Sequence, residues 1–192
     1  MRNIPNSVAV ASTTCSAPAR RASVPSLLPR LWPWYVLAGV VMAADQVSKL
    51  WVLSVLRLGE GVELTPFFNL VLVFNRGAAF SFLAWAEGWQ RWFFVALALA
   101  ISVGIVIAMR RAAAKAASRW LIGALTLVLG GALGNVIDRL IHGAVVDFLD
   151  FHAAGWHWPA FNLADSAICV GIALLLWQEF KHQDSHRDSR HG

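Results

Sequence analysis

Apolar side chains run almost without interruption through four blocks of the chain: Leu31 to Leu56, Trp92 to Met109, Trp120 to Ile137 and Phe161 to Phe180. Each is close to the roughly 20 residues that cross about 30 Å of hydrocarbon. The middle two carry no charged residue. Blocks this long are too long for barrel strands, and a helix satisfies its own backbone polar groups, so the pattern predicts α-helices. The expected fold is an all-α membrane protein, a bundle of four transmembrane helices. Between the first two blocks the pattern changes. "VELTPFFNLVLVFNRGAAFSF" is rich in branched and aromatic residues and is broken by Pro66 and Gly77, which predicts a small β-element outside or against the membrane. "LAWAEGWQRWFF" beyond it has the aromatic–polar mixture of an interfacial helix.

Composition agrees with a membrane reading: of 192 residues, 58% are hydrophobic and only 14% charged, more apolar side chain than a soluble domain of this length could cover. Trp32, Trp34, Trp92, Trp120 and Trp177 fall at or near the expected helix ends, where an indole can sit between lipid tail and water. The net charge of +5 is unevenly placed. Eleven of the sixteen Lys and Arg residues lie before the first block (Arg2, Arg20, Arg21, Arg30), between the second and third (Arg110, Arg111, Lys115, Arg119) or after the fourth (Lys181, Arg187, Arg190). Cationic flanks stay in the cytoplasm, so both termini are expected inside. The same placement fits a membrane flank better than a nucleic-acid surface, and no nucleic-acid partner is expected.

Three regions result: a Ser-, Ala-, Pro- and Arg-rich cytoplasmic extension over 1–30, expected to be disordered and dispensable for chemistry, a membrane domain over 31–180, and a polar cytoplasmic tail over 181–192. Cys15 and Cys169 fall in the first two of these and suggest neither a disulfide nor a thiol catalyst. With no P-loop and no HExxH-like histidine pattern, chemistry without metal, nucleotide or other cofactor is expected.

The chemistry must lie in the few polar residues of the apolar blocks. In "AADQVSKLW", Asp45 and Lys49 are four apart on one helical face; the plain reading is an ion pair that fixes helix packing while Lys49 snorkels outward, although intramembrane charges also mark functional sites. "LGGALGNVIDRLIHG" brings Asn135, Asp138 and Arg139 to one side of the third helix, where Gly130, Gly131 and Gly134 permit close helix approach. Asp138 and Arg139 cannot pair as i, i+4 neighbours and must find partners on other elements, as packing or as part of a site. In "GAVVDFLDF" the alternation of an extended segment turns Asp147 and Asp150 to opposite faces, so only one easily enters the bundle. In "PAFNLADSAI", Asn162 can be the N-cap of the fourth helix and Asp165 its third residue, a favourable start for any helix. Running out along helix 3 and back along helix 4, however, brings Asp147 and Asp165 to the same outer boundary. Two carboxylates in a partly apolar site share one proton, so one can act as base and the other as acid, the aspartic-protease arrangement for peptide hydrolysis.

The ordered blocks "DQVSK", "FNRGAAFSF", "GNVIDRLIHGAVVDF" and "FNLADSA" together resemble the lipoprotein signal peptidases, signal peptidase II, over about four fifths of the chain. The resemblance implies a four-helix aspartic peptidase of the bacterial inner membrane, with a periplasmic β-cradle, an interfacial helix and the active site near the periplasmic face. It implies that Asp147 and Asp165 are the catalytic dyad and that Asp45, Asn75, Asn135, Asp138, Arg139 and Asn162 support the site or bind substrate. Asp150 receives no role. The implied partners are prolipoproteins carrying diacylglycerol on the lipobox cysteine, cleaved just before that cysteine, within a lipid bilayer. A monomer inhibited by globomycin-type cyclic peptides is expected. The long N-terminal extension departs from the family pattern.

A proton-coupled transporter would also place Asp, Arg and Asn in the membrane, but the internal repeats and broken helices common in transporters are not evident here. A structural subunit would explain the helices and leave the outward convergence of polar clusters without a reason. The charge distribution predicts that compartment reporters fused after Gly192 and inserted within Gly59 to Glu63 give opposite signals; the same signal from both would overturn the topology.

Overall fold

The computed structural model describes residues 28–77 and 88–188. Among them, four helices are long and apolar enough to cross a membrane: α1 (Leu28–Val55), α2 (Trp89–Ala114), α3 (Arg119–His142) and α4 (Leu163–Asp188). Their stop signals are local. Ser118 caps α3 by accepting from the Trp120 amide, and Gly143 ends it in a left-handed conformation at φ 75°, with its own N–H returning to the Arg139 carbonyl. Trp32, Trp92 and Trp120 are exposed near helix ends, and Trp177 near the end of the apolar span that closes at Lys181, as membrane-boundary anchors require.

Helix limits depart from the hydrophobic blocks at several ends; α2 and α3, for example, run past Met109 and Ile137 to Ala114 and His142. The first helix starts at Leu28, so the last residues of the expected extension are helical; residues 1–27 lie outside the described residues. Trp89 to Arg91, which precede the second apolar block and are expected in an interfacial helix, form the first turn of α2 behind Gly88. The rest of that stretch and the end of the expected β-element, residues 78–87, lie outside the described residues. The fourth helix runs to Asp188, well past Phe180, because the polar residues there are adequate helix formers that need no lipid to continue the hydrogen-bond ladder.

Helix α3 packs against each of the other three. Its inner half anchors an apolar core of Leu31, Ala38, Ile105, Met109, Ala112, Ala113, Ile122 and Leu129. At the end of the bundle where α3 closes, the chain forms a four-stranded antiparallel sheet in the order β1 (Gly61–Thr65), β2 (Phe68–Asn75), β3 (Val145–Ala153), β4 (Trp156–His157). A second core of Val52, Leu56, Leu72, Val146 and Phe148 joins this sheet to the end of α1. Strand β3 pairs with β2 through Asp147 opposite Val73 and Val145 opposite Asn75. It therefore leaves the top of α3 already committed to the sheet, with Asp147 held over the end of the bundle.

Close helix approach at the glycines is realised. A Cβ on Gly131 would collide with the Ala164 carbonyl oxygen of α4, and one on Gly134 would lie 2.6 Å from an Asp45 carboxylate oxygen of α1. A backbone carbonyl cannot move without moving its helix. Gly131→Ala is therefore expected to push α4 from α3 and lower stability by about 1–3 kcal/mol, as overpacking does, with turnover falling alongside. Gly104→Ala, where nothing lies within 4 Å of the added carbon, is expected to leave the melting temperature unchanged or slightly raised. Thermal unfolding of both variants in detergent checks the contrast.

Candidate active site

The site begins at the start of α4. The Asn162 side chain accepts the Asp165 amide through Oδ1 at 2.9 Å, the N-cap expected from the sequence. Its amide nitrogen is then free to point the other way, and it donates to Asp147 Oδ1 at 2.7 Å. The cap thus also links the two aspartates. Asn135 makes the matching connection from α3, donating from Nδ2 to Asp165 Oδ1 at 2.7 Å while its Oδ1 accepts from Asn162 at 3.2 Å. On the sheet side, Asn75 donates to Asp147 Oδ2 at 3.1 Å and accepts the Gly77 amide at 3.0 Å. Three asparagines therefore hold two carboxylates, and each does so with one end of an amide whose other end is also bonded.

Asp147, Asp165, Asn75, Asn135 and Arg139 all open onto one cavity of about 730 Å³. Much of the rest of its wall is apolar, with Val73, Phe74, Val145, Pro159, Phe161 and Ile168 contributing. Arg139 donates to the Asn135 and Gly77 carbonyls at 3.3 and 3.2 Å and lies over the Phe94 ring at 5.2 Å from its centroid. Its partners are thus a backbone carbonyl of its own helix, the Gly77 carbonyl and a ring of α2, and it forms part of the cavity wall.

Behind the cavity lies a second polar layer. Lys49 is 2% exposed, with Nζ 2.7 Å from both Asp45 Oδ2 and Asp138 Oδ2 and 3.2 Å from Asn135 Oδ1. The i, i+4 pair of Asp45 and Lys49 forms as expected. The lysine, however, turns inward instead of snorkelling, because a second carboxylate from α3 completes its coordination and offsets the loss of water. Gln46 donates to Asp138 Oδ1 at 2.8 Å and to Asp45 Oδ2 at 3.2 Å. Neither Lys49 nor Gln46 stood out from the sequence as a site residue. The signal was present only in pairs, since Lys49 and Asp138 are 89 positions apart.

Asp150 takes the other face of β3, as the alternation required. It is buried there too, accepting from Asn69 at 3.0 Å and lying 2.9 Å from His157 Nδ1, away from the cavity. Among the described residues, no group of three or more His, Cys, Asp or Glu side chains is arranged to hold a metal ion.

The environment of Asp147 makes its carboxyl a weak acid. Burial is the main cause and the nearby Asp165 charge the second; together they push its pKa up to about 7, against the donations from Asn75 and Asn162 and the Lys49 charge. A carboxyl that holds its proton near neutrality beside a second carboxyl can both donate and accept protons there.

The architecture and sequence both have known relatives. A family model described as signal peptidase (SPase) II matches residues 37–181. The lipoprotein signal peptidase of Azoarcus sp. (strain BH72) is 55% identical over 149 residues, 78% of this chain and 83% of its own. That of Paraburkholderia phymatum is 54% identical over 151 residues, 79% and 89% of the two chains. A solved structure of a bacterial membrane enzyme, refined at 2.3 Å, superposes with a TM-score of 0.67 at 32% identity over 80% of this chain and 90% of that one. With the match running from the first membrane helix to the last, this chain belongs to the signal peptidase II family.

Proposed function

We propose that the protein is an intramembrane aspartic endopeptidase that removes the signal peptide from diacylglyceryl-modified prolipoproteins, cutting just before the lipidated cysteine. One observation carries the reading: Asp147 and Asp165 open onto the same largely apolar cavity, and asparagines hold both carboxylates in place. The relatives named lipoprotein signal peptidase supply the substrate class.

The chemistry follows from the pair. With one shared proton, the ionised carboxylate takes a proton from water as the water oxygen attacks the scissile carbonyl carbon. The protonated carboxyl polarises the carbonyl oxygen and gives it the proton as the tetrahedral species forms. Collapse of that species breaks the C–N bond, and a proton from the pair goes to the leaving amine. The burial that raises Asp147 to about 7 keeps a shared proton available to the pair near neutrality.

The cavity lies between α3, α4 and the sheet. Its apolar lining suits a signal helix and acyl chains that arrive through the bilayer without entering water. In the inner membrane, with cytoplasmic termini, the site faces the periplasmic boundary. Arg139 in the cavity wall can hold a substrate carbonyl, and Asn75, Asn135 and Asn162 keep the dyad oriented.

Asn keeps the shape of an aspartate but cannot exchange a proton. Asp147→Asn and Asp165→Asn are each expected to reduce turnover of a diacylglyceryl prolipoprotein by at least about 1,000-fold in protein that still folds. Asp150→Asn is expected to retain it, since that side chain points at His157 and Asn69. Asn caps a helix about as well as Asp, so near-normal turnover by folded Asp165→Asn would return that residue to a helix-starting role. Because loss of the shared proton ends acid catalysis, kcat/KM of the parent enzyme should fall as pH rises through about 7. A pH-rate profile rising steadily to about pH 9 would contradict the assignment.

A further inference from the structure

Lys49 lies behind the cavity wall and touches neither proposed catalytic carboxylate, yet it connects to both by a short route. Its ammonium lies 2.7 Å from Asp45 and 2.7 Å from Asp138. Asp45 Oδ1 accepts the Ala164 amide at 2.9 Å, and Asp138 Oδ2 accepts the Val146 amide at 3.0 Å. Ala164 immediately precedes Asp165, and Val146 immediately precedes Asp147. The third Lys49 contact, 3.2 Å to Asn135 Oδ1, fixes which end of that amide faces Asp165. The ammonium donates hydrogen bonds to Asp45 and Asn135 and forms an ion pair with Asp138.

We propose that Lys49 is the positioning residue of the dyad: by bridging Asp45 and Asp138 it holds the backbone just before each catalytic aspartate at a set separation and orients the Asn135 amide toward Asp165. This inference rests on the proposed dyad chemistry. It assigns Lys49 a role in the rate of hydrolysis beyond balancing buried charge. A flexible dyad would still bind a lipid-bearing peptide, because the apolar walls that do so include Phe74, Phe161 and Ile168. What it would lose is the geometry of attack, where a displacement of about 1 Å costs about 100-fold in rate.

Lys49→Met keeps the length of the side chain and removes the ammonium. It also leaves Asp45 and Asp138 unbalanced, so the single variant can fail by misfolding. The charge-balanced Lys49→Met/Asp138→Asn protein answers this, since the side-chain oxygen of the introduced asparagine can still accept the Val146 amide and one surplus carboxylate is removed with the ammonium. Both are purified in detergent, checked by thermal unfolding and assayed with a diacylglyceryl prolipoprotein across about pH 5 to 9, a span chosen to bracket the Asp147 titration. The expected result for the folded double variant is a kcat lower by about 100-fold, with KM within about threefold of the parent. In folded Lys49→Met, where the ammonium alone is lost, the descending kcat/KM limb should move to higher pH, because the Lys49 charge is one of the influences that lower the Asp147 pKa. Parental kcat in the folded double variant would overturn the inference and leave Lys49 as a charge-balancing group. A raised KM with kcat unchanged would also overturn it, since that places Lys49 in substrate binding. Failure of the dyad itself is read separately, from turnover by Asp147→Asn and Asp165→Asn.

Discussion

One ammonium between two carboxylates, buried away from the surface, constrains the sheet-bearing half of this bundle. Lys49 reaches Asp45 on its own helix and Asp138 on α3 at 2.7 Å each. Removing such charges from water costs several kcal/mol per ion, offset only when every remaining lone pair and proton is also satisfied. Here the surplus negative charge is met by two backbone amides and by Gln46. Those amides belong to the two segments that carry Asp147 and Asp165. Burial of the cluster is therefore favourable only when α1, α3, the start of α4 and strand β3 are all in place. The same requirement assembles the site.

The helix packing makes this possible. The glycines of α3 let α1 and α4 approach until backbone carbonyls and a carboxylate fill the space that side chains would take. In a membrane this closeness brings dispersion contacts, since lipid offers no hydrophobic drive between helices. It also puts Asp45 within reach of the first amides of α4. Close packing and the polar network are two results of the same missing Cβ atoms.

The asparagines do a different job from the charges. An amide has a donor end and an acceptor end, and bonding one end fixes the other. Asn162 accepts from the Asp165 amide and so presents its nitrogen to Asp147. Asn135 accepts from Lys49 and so presents its nitrogen to Asp165. Each carboxylate thereby receives neutral donors, which orient it without fully offsetting the burial that raises Asp147 to about 7. A lysine in direct contact would have pulled that carboxyl down and ended its use as an acid near neutrality.

The helices were legible in residue order alone, because an apolar run of some 20 residues has few other ways to satisfy its backbone, and so was the N-cap at Asn162, which is a local bond. Motif order, more than any property of one residue, made Asp147, Asp165 and the supporting polar residues stand out as a group, and the alternation of β3 separated Asp147 from Asp150. Where Lys49 points was settled by the folded chain. Within α1 its sole visible partner was Asp45, and an exposed pair with a snorkelling lysine was the cheaper arrangement; the second carboxylate, 89 positions further along, reverses that balance. Local periodicity reports what a segment can do alone. The burial of a charge depends on partners that distant parts of the chain bring within hydrogen-bonding reach only once it has folded.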